Sequence, residues 1–196
     1  TDGLEAERDQ GITIDVAYRH LYLPSGRRAI FADAPGHEQY TRNMAVAAST
    51  ADAAILLADA LRGSRDQTHR HLSVCALMGV RHLLVAVNKM DAVDWDRGVF
   101  DAICEELRAS AARHGIDSVV CVPTSALTGA NVTSSRAAPQ WYDGPSLLQA
   151  IDAMEVEHDA AAPLRMPVQT ILRAPDFRGY GGVVEAGVLR AGDKVR

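Results

Sequence analysis

Lysine is almost missing from this chain. Of its 20 basic residues only Lys89 and Lys194 are lysines, which fits an arginine-rich, alanine-rich parent. The chain starts at Thr1 without a methionine and stops at Arg196 inside a strand-like pattern, so it is expected to be a fragment of that parent. Cysteine is scarce too: Cys75, Cys104 and Cys121 lie in apolar segments without CxxC spacing, and buried, reduced thiols in a cytosolic protein are expected. No secretory signal and no apolar run long enough to span a bilayer is present, so no membrane partner is expected. The formal charge of −5 gives no electrostatic reason to expect nucleic acid as a partner. Internal repeats and low-complexity tracts are absent.

Metal clusters and catalytic serines are missing as well. His69 and His71 are two apart, so on a helix they point to different faces and cannot chelate one metal. His20, His82, His114 and His158 are dispersed, and Ser49, Ser64 and Ser73 lack a nucleophile-elbow context. Glu105, Glu106 and Arg108 read as a solvated helix face, and Trp141 and Tyr142 as packing before the last helix.

What is present suits one domain and a fraction, with 47% hydrophobic residues for a core. Strand patterns at 14–23, 28–33, 53–59, 82–88 and 119–123 alternate with helical patterns at 39–49, 65–78, 97–115 and 145–154. The strands are apolar on both faces, which predicts an α/β fold with a parallel sheet covered by helices on both sides. After AAAPLRMP the style changes to alternating strands, MPVQTILR and GGVVEAGVLRAGDKVR. The expected division is a nucleotide-binding domain at 1–160 and the beginning of an all-β barrel domain at 161–196, linked near residue 162.

Ligands of open parallel sheets bind beyond the carboxyl ends of the strands. In NKMD, Asp91 can accept two hydrogen bonds from the N1–H and 2-amino group of guanine, donors that adenine does not present there. Asn88 can brace the loop, the stem of Lys89 can lie over the base with its ammonium reaching outward, and the Ala126 amide in SAL suits the guanine O6. In DAPGH, Asp33 can hold a hydrated magnesium ion, the Gly36 N–H can bond a terminal phosphate, and His37 can orient a water for attack. In GITID, the Thr13 hydroxyl can ligate magnesium when a loop closes over a γ-phosphate. Each motif alone also fits an ordinary turn or strand start. Their order along the chain, each at the end of an element, predicts a GTP site.

GITID, DAPGH, NKMD and SAL resemble the translation-type GTPases, the group containing elongation factor Tu. QGITIDVAYR, PGHEQYTRNM, GVRHLLVAVNKMD and QWYDGPSLL are most similar to the large, GTP-hydrolysing subunits of bacterial sulfate adenylyltransferases, over nearly the whole chain. The resemblance implies a complex in which GTP hydrolysis drives formation of adenosine 5′-phosphosulfate from ATP and sulfate, while a small catalytic subunit performs the adenylyl transfer. It implies GTP and Mg2+ as cofactors, Thr13 and Asp33 in the magnesium shell, and Gly36 at the γ-phosphate. His37 maps to the catalytic, water-positioning histidine, flanked by Ile12 at a hydrophobic gate. Asn88, Lys89, Met90 and Asp91 map to guanine, Ser125, Ala126 and Leu127 to the base-edge loop, and Ala34 and Pro35 complete the nucleotide set. Aminoacyl-tRNA carriage, as by an elongation factor, and a non-catalytic scaffold are the alternatives.

Two features depart from the family pattern. Ala34 stands where threonine is usual, with a mild effect expected. No GxxxxGK[ST] loop occurs, and neither lysine lies in a glycine-rich turn. Charge-assisted hydrogen bonds contribute about 1.5–3 kcal/mol each. Losing about four weakens binding by ~6 kcal/mol or more, on the order of 10⁴-fold. The absent segment also supplies a central strand in the family, so RAIFAD and AAILLAD are expected to face a vacant slot. These 196 residues alone are expected neither to bind GTP tightly nor to fold stably.

Overall fold

A computed structural model describes residues 12–116, 118–155 and 161–195. Gly11, His158, Ala160 and Arg196 lie outside the described residues. The chain divides into two compact units, Thr1–Met154 and Glu155–Arg196.

The first unit is built on a parallel sheet of three strands in the order β3–β4–β5: Ala53–Asp59, His82–Asn88 and Ser118–Pro123. Strand β4 is central. Its run Leu83–Val87 is at most 1% exposed, which explains its unbroken apolar sequence. On one face, Leu56, Ala58, Leu83, Val85, Val87 and Cys121 form the main core with helices α2 (Asp66–Leu77) and α3 (Arg97–Arg113). The buried apolar residues Leu72, Ile103, Leu107 and Ala111 face inward from these helices. Helix α3 starts on Asp96, whose Oδ1 accepts the Val99 N–H at 2.9 Å. On the opposite face, α4 (Leu147–Asp152) covers Leu84 and Val122, and its start is closed by a Ser146–Gln149 capping box.

Helices thus flank the sheet on both faces, as expected, although the second face is covered only in part. Ile55 and Leu57 of β3 are 39% and 68% exposed, because α4 packs over β4 and β5 rather than over β3. RAIFAD does not join the parallel sheet. It forms β2 (Arg28–Asp33), paired antiparallel with β1 (Ala17–Tyr22), with Ala17 opposite Asp33. Among the described residues, strand β3 is an edge strand of its sheet. Helix α1 (Thr41–Ala48) packs Met44 and Ala48 against Cys75 and Val80. All three cysteines are free and buried, as expected. Trp141 and Tyr142 pack around Phe100, and the Trp141 indole N–H donates to the Trp95 carbonyl at 2.8 Å.

The second unit is an antiparallel hairpin of β6 (Thr170–Ala174) and β7 (Phe177–Gly181). The strand expected over GGVVEAGVLRAGDKVR does not form among the described residues. Beyond Gly181 only an Arg165–Ala186 bridge extends the pairing. The reason is local: Ala174 pairs with Phe177 across the two residues Pro175 and Asp176, and that short closure pairs β6 with its immediate successor. No barrel is formed among the described residues, because two strands cannot close one. Among the described residues no helix is long and apolar enough to cross a membrane.

Candidate functional site

Parallel register brings three strand ends to one edge of the sheet. Asp59 pairs with Asn88, and Val87 with Pro123, so the chain leaves β3, β4 and β5 on the same side. The loops after β4 and β5 are stitched together there. Thr124 N–H donates to the Val87 carbonyl at 2.8 Å and Met90 N–H to the Thr124 carbonyl at 3.2 Å. The Ala126 N–H donates to Asn88 Oδ1 at 2.8 Å. Asn88 therefore braces the Ser125–Leu127 loop, and the amide suggested for the guanine O6 is engaged by Asn88 in this structure. Ser125 is fully buried and serves its own loop: its N–H donates to Ala130 and its Oγ accepts from the Thr128 N–H. Ala126 and Leu127 are exposed, Leu127 at 89%.

Lys89 adopts a left-handed backbone at φ 64°, rare for a residue with a side chain. Its ammonium does not reach outward as the sequence suggests. It lies 2.7 Å from Asp59 Oδ2, at the tip of β3. Burial opposes the charge on Asp59, but the Lys89 ammonium, the Leu61 N–H and the Arg62 guanidinium outweigh it and hold the carboxyl below its usual range. Asp59 is a partner of the candidate site that the motif reading misses. It ends AAILLAD as Asp33 ends RAIFAD, so the strand-end rule alone would have found it.

Asp91 carries the most informative atom. Its Oδ1 is buried yet has no hydrogen-bond partner. A buried carboxylate oxygen without a donor costs about 1–3 kcal/mol or more and calls for an explanation, which a donor on a bound ligand would supply; Asn131 Oδ1 is left in the same state. Met90, beside it, is fully buried and anchors the turn rather than facing a ligand.

The DAPGH loop is held by α2. Asp33 closes β2, Ala34 packs against the Met44–Cys75–Val80 cluster, and Pro35 is buried. The Gly36 carbonyl accepts from His71 Nε2 at 2.8 Å and from the Gln67 amide. Since a carbonyl can only accept, His71 Nε2 carries a proton. Glu38 pairs with Arg70 at 2.7 Å. Gln67, Arg70 and His71 share one helical face and belong to the first turns of α2, which follows the carboxyl end of β3. His69 lies on the other face, as its two-residue offset from His71 requires, with Nε2 3.0 Å from Glu106 Oε1 and Nδ1 3.1 Å from Ser110 Oγ.

His37 stands at the start of a 3-10 turn, Glu38–Tyr40, with an exposed imidazole. Ile12 and Thr13 are half-buried just upstream of β1. Their segment is tied to α1 by Asn43, whose Nδ2 donates to the Ile14 carbonyl at 2.8 Å. No motif assigns a role to Asn43, Gln67, Arg70 or His71. The grouping QTHRH was visible, but only the fold shows which loop it grips. Among the described residues no group of three or more His, Cys, Asp or Glu side chains could hold a metal.

Comparison with known proteins places these loops in a family. The elongation factor Tu GTP binding domain model matches residues 1–157. Sulfate adenylyltransferase subunit 1 of Laribacter hongkongensis is 51% identical over 196 residues, covering 99% of this chain and 40% of that protein. The bifunctional enzyme CysN/CysC of Xylella fastidiosa is 52% identical over 197 residues, covering 99% of this chain and 31% of that protein. The chain thus spans well under half the length of these curated relatives. Among solved structures, the bacterial selenocysteine-specific elongation factor EF-Sec superposes with a TM-score of 0.64 at 26% identity, covering 98% of this chain and 31% of that one. The chain belongs to the elongation factor Tu GTP-binding domain family.

Proposed function

We propose that this chain is the guanine-nucleotide-binding part of the GTP-hydrolysing subunit of a cytoplasmic sulfate adenylyltransferase. In that reading GTP hydrolysis drives formation of adenosine 5′-phosphosulfate from ATP and sulfate, and a small catalytic subunit carries out the adenylyl transfer. The buried, partnerless Oδ1 of Asp91 is the observation that carries it. Guanine presents two donors to a carboxylate at that place, and adenine presents none. The identity of about half to sulfate adenylyltransferase subunits, against 26% to the elongation factor, favours sulfate activation over tRNA carriage.

The chain's own residues divide the work. Asp91 selects guanine, and Asn88 holds the loop that closes on its edge. The stem of Lys89 flanks the base while Asp59 fixes its ammonium. Gly36 faces the terminal phosphate, and His37 orients the water that attacks the γ-phosphorus. The γ–β bridging P–O bond breaks, giving GDP, inorganic phosphate and a proton. Asp33 and Thr13 suit Mg2+, which binds through one or two carboxylates plus phosphate oxygens and retained water rather than through an all-protein cage. A bound magnesium ion would neutralise charge on the β- and γ-phosphates. Residues 1–160 would form the GTP-binding domain and 161–196 the opening of a β-rich one.

The base contact is tested by Asp91→Asn in the natural protein. An amide at that position can donate to the 2-oxo group of xanthine but cannot accept both guanine protons. Calorimetry is expected to show GDP affinity falling about 100-fold or more, with xanthosine diphosphate becoming the better ligand. Unchanged GDP binding would sink the site. The coupling is tested separately: adenosine 5′-phosphosulfate formation by the natural complex should depend on GTP, and GTP-independent synthesis would refute it.

A further inference from the structure

We infer that Gln67 and His71 of helix α2 are positioning residues for His37, clamping the peptide from which the water-orienting imidazole projects; this rests on the GTPase reading above. The clamp acts on one peptide unit. A trans peptide is planar, so the Gly36 carbonyl, the His37 N–H and the His37 Cα move together. Two donors from successive turns of α2 grip that carbonyl: His71 Nε2 at 2.8 Å and the Gln67 amide. A carbonyl oxygen has two lone pairs, and both are taken.

The rest of the His37 backbone is held from the other side. Its own carbonyl accepts the Tyr40 N–H at 2.9 Å, opening the 3-10 turn. The next residue, Glu38, is ion-paired with Arg70 at 2.7 Å, from the same face of α2. At φ −71° and ψ 141° His37 is thus fixed before and after its Cα, while its imidazole is exposed and makes no capping hydrogen bond. What remains adjustable is the side chain's own rotation. Gly36 presents its α-carbon to the same helix: a Cβ there would sit 3.4 Å from His71 Cε1 and 3.5 Å from Gln67 Nε2, ordinary contact. Gly36 is therefore seated directly against the clamp.

Helix α2 is in turn anchored away from the loop. His69, on the opposite face, meets Ser64, Glu106 and Ser110, and Leu72 beneath is fully buried. The rigid element is the helix, and the loop takes its position from it. A displacement of about 1 Å in a reacting group costs on the order of 100-fold in rate. Without the clamp the imidazole would still be present but would sample many positions.

The test compares three variants of the natural protein: Gln67→Ala with His71→Ala, His71→Gln, and His69→Ala. The double variant is expected to lower kcat for GTP hydrolysis about 10–100-fold with KM for GTP within about two-fold. His71→Gln retains an N–H donor and is expected to recover most of the rate. His69→Ala removes contacts of the same helix with α3 and is expected to leave kcat within about two-fold while lowering the melting temperature. Deuterium uptake over residues 33–40 is expected to rise about tenfold in the double variant and to stay unchanged in His69→Ala. If wild type fails to hydrolyse GTP, the functional reading falls, and deuterium uptake alone then decides the clamp. Equal uptake in the double variant and His69→Ala overturns the inference, and so does faster uptake with unchanged kcat.

Discussion

At the scale of single residues, charge at the strand ends is matched locally by Asp59 and Lys89. The Asp59–Lys89 pair shows how this is balanced. With the Asp59 side chain 23% exposed and Lys89 52% exposed, water screens the attraction, and its net worth is about 0.2–1 kcal/mol. The folded-state pKa of Asp59 is lowered from 3.8, so its contribution is present above about pH 4 and is lost as pH falls through the lower, folded value. Asp59→Asn is therefore expected to cost a constant few tenths of a kcal/mol to ~1 kcal/mol between pH 5 and 7. That difference should shrink on acidification below pH 4. Urea midpoints of wild type and variant across this range measure it, and parallel curves down to pH 2 would show that the pair carries no linkage.

At the scale of elements, most strands and helices follow from local chemistry. AAILLAD and HLLVAVN form strands with the bounds their apolar runs suggest, and RAIFAD does so as β2. Helix α3 begins where Asp96 can cap it and ends at Arg113, before the glycine at 115. The cap is separable from the site. Asp96→Ala is expected to lower stability by about 1 kcal/mol, read as a shift of the urea midpoint at unchanged slope, with guanine-nucleotide binding unaffected. An unchanged midpoint would mean that packing of Leu107 and Ile103 alone fixes the start of the helix. The hairpin of the second unit was not legible. GGVVEAGVL has strand composition, yet strand composition does not choose a partner, and the two-residue closure at Pro175–Asp176 chose Phe177–Gly181 instead.

At the scale of the whole molecule, the parallel sheet does two jobs: its buried centre holds the first unit together and its carboxyl edge carries the loops. The uncovered part of β3 is its weak side. Among the described residues Ile55 and Leu57 form exposed apolar surface on an edge strand, which invites association between copies of these 196 residues on warming. Leu57→Lys is expected to lower light scattering of a heated solution without reducing the melting temperature, since at 68% exposure Leu57 contributes little burial. Unaltered scattering would place the association elsewhere. The motifs GITID, DAPGH, NKMD and SAL, their chemistry and their order are properties of the sequence, because donor and acceptor patterns belong to residue types. Three-dimensional packing decided which groups those motifs meet. Ala126 N–H binds Asn88 and Lys89 binds Asp59, while α2 takes hold of the Gly36 carbonyl. Such contacts join residues 30 to 38 positions apart, and no local preference encodes a distance across that span.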